Sequence, residues 1–227
     1  MKFEHTEVFN FEGALRGMRN PMNSWNKSDS NWDWTKNSGF NSGKFIIGEN
    51  DLKLAQKLIR AGGEHRKFMR QIIVSVDITA PLYWWNEFDT YKIGTVANST
   101  SKMHKLASTP ITLDCFETDD FDYEWFQSTG IEPTCDTWIQ DNIIFFLEEL
   151  RQQYLETKDK RYWKELIRWL PESWLQTRTV TMSYENLLSM CRQRKNHKLT
   201  EWEKSFIDWA RTLPYAQELI FIDEVYG

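Results

Sequence analysis

The chain has 227 residues with 28 basic and 33 acidic side chains, and its net charge of −5 argues against a general nucleic-acid binder, which needs a basic surface to release counterions. Hydrophobic residues at 41% and charged residues at 27% give the profile of a soluble globular protein, and a single domain over 1–227 is expected. No apolar run approaches the roughly 20 residues of a membrane span, and the opening MKFEHTEVF has no signal-peptide core, so no membrane partner and a cytoplasmic location are expected.

Residues 26–43 (NKSDSNWDWTKNSGFNSG) are rich in Asn, Ser, Gly and Asp and read as a long surface loop. Asp51 then reads as the N-cap of a helix with Leu54, Ala55, Leu58 and Ile59 on one face, ended by Gly62-Gly63. In the next stretch Ile72, Val74, Val76 and Ile78 share one face, while Ile73, Ser75, Asp77 and Thr79 share the other. That alternation predicts a half-buried strand. Pro81 closes it and opens a short helix from Leu82 to Phe88.

Residues 107–136 read as an irregular insertion, acidic from position 114 onward. From Thr137 to Tyr154 the positions Ile139, Ile143, Phe146, Leu150 and Tyr154 follow the spacing of an amphipathic helix. Arg161 to Leu170 reads as another helix, stopped by Pro171. Ser183 can cap a third through Arg194, with Leu187, Met190 and Cys191 facing inward. Thr200-x-x-Glu203 is a capping-box pattern before Trp202, Phe206, Trp209 and Leu213. Helices dominate beside one clear strand, so the fold class is α+β. The 12 tryptophans are expected to fill the core rather than form a row of stacking platforms.

The histidines His5, His65, His104 and His197 stand far apart with no partner at helical spacing, so no metal site is expected. Cys115, Cys135 and Cys191 show no C-x-x-C spacing. The acidic surroundings of Cys115 would raise its pKa, and Cys191 lies on an apolar helix face. Neither a P-loop, a G-x-G-x-x-G nor a G-x-S-x-G elbow is present. Two segments remain. Glu64-His65-Arg66-Lys67 reads locally as a solvated turn before the strand. The stretch YWWNEFDTYKIGTVANSTSKMH gathers Tyr91, Lys92, Thr95, Asn98, Ser99, Thr100, Ser101 and His104. Side chains of this kind either satisfy their own backbone in Asx- and ST-turns or supply neutral donors to phosphate oxygens and heterocycle edges. Local physics leaves both open.

The order of elements and several short matches resemble the flavin-dependent thymidylate synthase family, from about Asp51 onward and more weakly before it. DLKLAQKLIRAGGEH is similar to the family's helix leading into a Gly-His element. HRKFMRQIIVSVDITAP, from His65 to Pro81, lies over its H-x-S/T-P-F-E-H segment and the following strand. The polar stretch falls on the signature R-H-R-x-x-S-x-N-E-x-S-x-R-Y: Thr90-Tyr91-Lys92 stands for Arg-His-Arg, Thr95 for the first serine. After one inserted residue, the run from Asn98 to His104 stands for the rest. LPESWLQTRTVTMSYENLLSMCRQR resembles the family's LP-x-x-x-x-T segment and the helix after it, and HKLTEWE resembles H-A-Q-W-E.

The resemblance implies helices packed on a small, mainly antiparallel sheet, and a homotetramer whose pockets form between subunits. It also implies FAD as cofactor and a uracil nucleotide as ligand, with dUMP methylated to dTMP and no cysteine nucleophile. NADPH and methylene-tetrahydrofolate enter only if that reaction is retained. On the same basis Ser101 is the catalytic candidate. His65, Gln71, Tyr91, Lys92, Thr95, Asn98, Ser99, Ser189 and His197 fall at the cofactor, and Glu87, Lys102, Arg168 and Arg194 at the substrate, with Arg194 at its phosphate.

The departures fall where the chemistry is. Two signature arginines become Thr90 and Met103, and only Lys92 keeps a charge. The Arg and Gln before the signature become Asn86 and Glu87, and a histidine becomes Gln71. Losing a guanidinium removes both the charge and the bidentate fork that grips phosphate. Replacements for that grip are sought among Arg16, Arg19, Lys92, Lys102, Arg168, Arg192 and Arg194. The expectation is a divergent nucleotide-binding relative with altered activity, with a non-catalytic nucleotide-sensing or interaction module as the alternative. A single-strand nucleic-acid binder is the weakest reading.

Overall fold

The computed structural model describes residues 1–34, 43–120, 122–130 and 138–226. The elements run β1 (Lys2–Phe9), α1 (Phe11–Arg19), β2 (Asn31–Asp33), β3 (Lys44–Ile46), α2 (Glu49–Arg60), β4 (Ile73–Pro81), α3 (Leu82–Phe88), β5 (Val96–Ser99) and α4 (Lys102–Lys105). They continue with α5 (Tyr123–Ser128), a π-helical turn (Ile139–Ile144) leading into α6 (Phe145–Thr157), α7 (Lys160–Trp169), β6 (Leu175–Ser183) and α8 (Tyr184–Arg194). A second π-helical turn (Glu201–Phe206) opens α9 (Ile207–Arg211), followed by α10 (Ala216–Leu219) and α11 (Ile222–Tyr226).

The class is α+β: helices pack on a small, mainly antiparallel four-stranded sheet of order β1-β4-β6-β5. β2 and β3 pair separately as an antiparallel hairpin, with Trp32 opposite Phe45. The alternation read in β4 is present: Val74, Val76, Ile78 and Ala80 are buried, and the residues between them are half-buried. Strands β1, β5 and β6 escape a reading by pattern. β1 and β5 are sheet edges and almost wholly exposed, so neither shows an apolar face. β6 hides its face because Gln176 takes a buried position where an apolar residue is expected.

The chain divides into two compact units. The first comprises Met1–Lys2, Ile78–Thr90 and Asn98–Arg178, and the second Phe3–Asp77, Tyr91–Ala97 and Thr179–Gly227.

In the first unit Leu106, Ile111, Phe116, Ile144, Leu147 and Leu166 form a buried cluster. Its long helix was expected to start at Thr137, which lies outside the described residues. Ile139, Ile143 and Leu150 pack on the cluster as expected, but Phe146 is 45% exposed and Leu147 is buried instead. The wider π-helical turn breaks the 3.6-residue spacing on which the sequence reading relied. Arg151 is buried and bonds both oxygens of Glu148 at 2.7 and 2.5 Å, while also donating to the Ala107 carbonyl at 3.1 Å. Glu148 in turn accepts from the Ile111 amide at 3.0 Å. This clamp fixes the start of the segment read as an irregular insertion, which also contains α5.

The hydrogen bonds from Arg151 outweigh partial burial and, with the Ile111 amide, hold the Glu148 carboxyl at about 2 rather than 4.5. A folded-state pKa below the unfolded one contributes stability above the unfolded value, which is lost as pH falls through the folded one. Denaturant unfolding should therefore show an acid-side loss of stability between about pH 4.5 and pH 2. Glu148→Gln removes this component of the acid limb, and an unchanged limb in that variant would exclude the clamp as its source.

In the second unit, α2 corrects the reading of Asp51. The N-cap is Gly48, and the Asp29 carboxylate accepts from the Asn50 and Asp51 amides at 2.9 and 3.2 Å. Asp51 points inward and is fully buried, accepting from Arg19 Nε (2.5 Å), Ser28 Oγ (2.6 Å) and Ser30 Oγ (2.5 Å). The stretch 26–43 is therefore not wholly a loop: Ser28 to Ser30 are fastened to α2, β2 follows, and residues 35–42 lie outside the described residues.

Ser183 caps α8 as expected, and does so in a capping box with Asn186. The Thr200 box does not form. Thr200 has helical dihedrals and no capping bond, and the Leu199 amide donates to the His197 ring at 3.1 Å. Cys191 is core as expected, and burial pushes its thiol up to about 12. The tryptophans divide: Trp84, Trp85 and Trp202 are fully buried, whereas Trp25, Trp32, Trp34, Trp125 and Trp169 are exposed. Among the described residues no helix is long and apolar enough to cross a membrane.

Candidate functional site

In the first unit the site segment begins on α3. Pro81 ends β4, and the helix buries Trp84, Trp85 and Phe88, leaving Asn86 exposed and Glu87 half-buried. The Trp85 indole donates to the Gln176 carbonyl at 2.9 Å, and the Arg178 guanidinium lies 4.2 Å from the ring centroid. Arg178 also bonds Asp89 at 2.7 Å and the Gln176 side chain at 3.1 Å. It thus stands immobilised beside the start of the signature stretch. The Thr90 hydroxyl turns back to the Glu87 carbonyl at 2.7 Å.

Beyond it, the amide of Thr100 donates to Thr177 O at 2.9 Å and its carbonyl accepts from Gln176 at 2.8 Å, fixing this edge of the sheet. Asn98 and Ser99 are exposed on β5, and Ser101 is half-buried at the start of α4. The side chains of Lys102 and His104 lie outside the described residues. Arg168 is not gathered into this group, because it pairs with Glu165 of its own helix.

In the second unit, the turn from Tyr91 to Thr95 is tied to both ends of α8. Thr95 donates to the Tyr91 carbonyl at 2.5 Å, and Asn186 donates to the Ile93 carbonyl at 2.8 Å. Gly94 has φ +81°, and a Cβ there would lie 2.9 Å from the Asn186 oxygen, so this position requires glycine. At the far end of α8, Arg194 Nε donates to the Tyr91 hydroxyl at 2.9 Å, and that hydroxyl donates to Gln193 at 3.3 Å. Gln193 donates to Ser189 at 2.9 Å.

The Arg194 guanidinium lies 4.8 Å from the Trp202 ring centroid and 5.5 Å from that of Tyr91, with His197 edge-on to Trp202 at 6.4 Å. The two aromatic faces orient the cation, as cation–π geometry favours. Lys92 is exposed and forms no ion pair among the described residues. Two other cations considered for a phosphate grip are committed: Arg19 to Asp51, and Arg192 to Asp223 at 2.7 Å.

His65 and Gln71 share a cleft of about 620 Å³ in the same unit. Met18, Leu58 and Phe68 supply apolar walls, Lys57 adds positive charge, and Lys67 pairs with Glu64 of the same lining at 3.8 Å. The volume and mixed lining match those of a small-molecule pocket. The preceding Arg66 is structural instead, donating to both oxygens of Glu185 at 2.9 and 3.0 Å.

The structure therefore brings Tyr91, Ser189, Arg194 and His197 into one cluster and His65 with Gln71 into one cleft. Sequence reasoning missed Gln193 and Trp202 as members of that cluster, and in the first unit it missed Arg178 beside Trp85 and Asp89. For Gln193 the signal was present, since it stands four residues from Ser189 on the predicted helix. Arg178 becomes visible only when β6 is recognised as a strand whose face it shares with Gln176.

The fold is similar to that of flavin-dependent thymidylate synthases. Two solved structures carry the likeness. Flavin-dependent thymidylate synthase ThyX from Helicobacter pylori, complexed with FAD and dUMP, superposes with a TM-score of 0.64 at 15% identity, covering 98% of this chain and 99% of that one. A second structure of ThyX from Helicobacter pylori with FAD and dUMP gives a TM-score of 0.62 at 14% identity, covering 98% of both chains. No protein-family model matches the sequence, and no curated protein matches it either.

Proposed function

We propose that this protein is a divergent relative of flavin-dependent thymidylate synthases that binds FAD and a uracil nucleotide. The observation that carries this reading is Arg194. It occupies the position resembling the family's phosphate-reaching arginine, and Tyr91 and Trp202 hold its guanidinium in a fixed orientation. Ser189, Gln193 and His197 add polar groups to the same cluster.

For the flavin, the residues present fit. The cleft holding His65 and Gln71 offers apolar surface for a ring system and Lys57 for a pyrophosphate, with Lys67 shared between that group and Glu64. A bound flavin would supply hydride chemistry; the role assigned to the chain's own residues is binding and orientation. The resemblance extends the proposal to a homotetramer, and the proposed location is the cytoplasm.

A second reading, nucleotide binding without methyl transfer, is favoured by two positions. Where the signature carries arginine, Thr90 spends its hydroxyl on Glu87 and Met103 is exposed, so neither delivers a cation. Arg178 stands beside Trp85 and Asp89 in that unit, but Asp89 already holds its charge.

The test is direct. Purified protein should absorb in the flavin band, release the colour on denaturation, and show a thermal shift with added FAD or dUMP. Asn98→Ala and Ser101→Ala should weaken that binding without lowering the melting temperature. Colourless protein with no shift for either compound would refute the proposal. A melting point several degrees lower in the variants would make these side chains turn-formers. Bound flavin and dUMP without dTMP production would establish the second reading.

A further inference from the structure

A second cavity of about 470 Å³ lies in the same unit, where α1 faces the β2-β3 hairpin and Tyr215, and none of its lining residues belongs to the Arg194 cluster or the His65 cleft. Its walls are aromatic. Trp32 stands T-shaped to Phe45 at 5.4 Å, and Phe11 T-shaped to Tyr215 at 5.7 Å.

The rings are held rather than loose. The Trp32 indole donates to Glu12 Oε2 at 3.0 Å, and Trp34 stacks on Trp32 at 5.5 Å. Trp34 in turn lies so close over Gly43 that a Cβ there would meet its ring at 2.6 Å. The Tyr215 hydroxyl accepts from the Ile47 amide at 2.9 Å. Yet Trp32 remains 42% exposed, so the hairpin presents it instead of burying it. Arg16 and Lys44 line the same cavity and form no ion pair among the described residues.

Aromatic walls beside two cations, with Glu12 as the one carboxylate of the lining, select one ligand chemistry. We propose that this cavity binds a planar heteroaromatic compound bearing a single anionic group. The ring stacks on Trp32 within the aromatic walls, the anion pairs with Arg16 and Lys44, and Glu12 Oε1 accepts from a ring or exocyclic N–H. The anion can be a phosphate, as in a nucleoside monophosphate, or a carboxylate, as in an aromatic acid. The inference draws on neither the flavin nor Arg194.

The experiment uses the full-length chain carrying Arg194→Ala, which removes the proposed nucleotide grip elsewhere. Calorimetric titration compares AMP with adenosine and indole-3-acetate with indole. At least one anionic probe should bind saturably and about tenfold or more tighter than its neutral counterpart, as expected for a charge-assisted contact. The probe that binds identifies phosphate or carboxylate as the anion.

Arg16→Gln and Trp32→Ala should each weaken that binding by about tenfold or more, while Trp32→Phe keeps most of it. Far-UV circular dichroism checks that each variant is folded. The proposal fails if neither anionic probe binds up to about 1 mM, or if both folded variants bind as the parent does.

Discussion

Asp51→Ala should destabilise the protein by about 3–5 kcal/mol, the range for breaking a buried ion pair and leaving one charge uncompensated. Arg19 is only 4% exposed and Asp51 is fully buried, so water cannot solvate the orphaned guanidinium. The substitution also removes the acceptor for two serine hydroxyls, which leaves the Ser28 to Ser30 segment held at the start of α2 by Asp29 and by the Gly48 amide on Ser30 Oγ. Denaturant unfolding measures the loss, and for a chain of this size it corresponds to a melting temperature lower by roughly 6–20 °C. A loss of less than about 1 kcal/mol would mean that the pair contributes no more than a surface salt bridge.

The double replacement Arg19→Met with Asp51→Leu should recover much of the stability, because two apolar groups leave no buried charge behind. Burial by itself raises the Asp51 pKa, but the hydrogen bonds from Ser28, Ser30 and Arg19, with the charge of Arg19, outweigh it, and the folded-state value is lowered. The contribution is therefore complete above the ordinary carboxylate range and is lost as pH falls through the depressed value.

Arg194→Ala is expected to cost about 10- to 100-fold in affinity for dUMP and to leave uridine binding unchanged, since a charge-assisted bond to phosphate is lost and no base contact is. Arg194→Lys should fall between parent and alanine. It keeps the charge but loses the planar group that lies against Trp202 and Tyr91. Isothermal titration with both compounds reads the split. Equal dUMP affinity in parent and alanine variant would remove Arg194 from the site.

The sequence made some of this legible and hid the rest for definite reasons. β4 announces itself because one face is buried and the other is not. β1 and β5 have no such contrast, and an edge strand is defined by a partner that the local sequence does not name. Asp51 looks like an N-cap because caps and buried acceptors use the same side chains, and only Arg19, far away in sequence, decides between the roles. Phe146 was misplaced by a π-helical turn that no propensity scale registers.

Of the two alternatives left open for the polar stretch from Thr95 to Ser101, the turn is present at Thr95. Thr95 satisfies its own turn, while Asn98 and Ser99 stand free of turns on an exposed edge strand. Arg194 was reached through resemblance, since nothing in its own helix distinguishes it from Arg192.

The double attachment of the turn from Tyr91 to Thr95 makes α8 a ruler. Asn186 holds one side of the turn and Arg194 the other, eight residues apart or about 12 Å along the helix. A one-residue insertion or deletion between them would swing Arg194 by about 100° around the helix axis, away from Tyr91. Homologous chains can therefore be expected to vary in the connections around α8 while keeping the count from Asn186 to Arg194 fixed. Across such chains, that interval is a more discriminating marker of a shared site than the identity of any one residue within it.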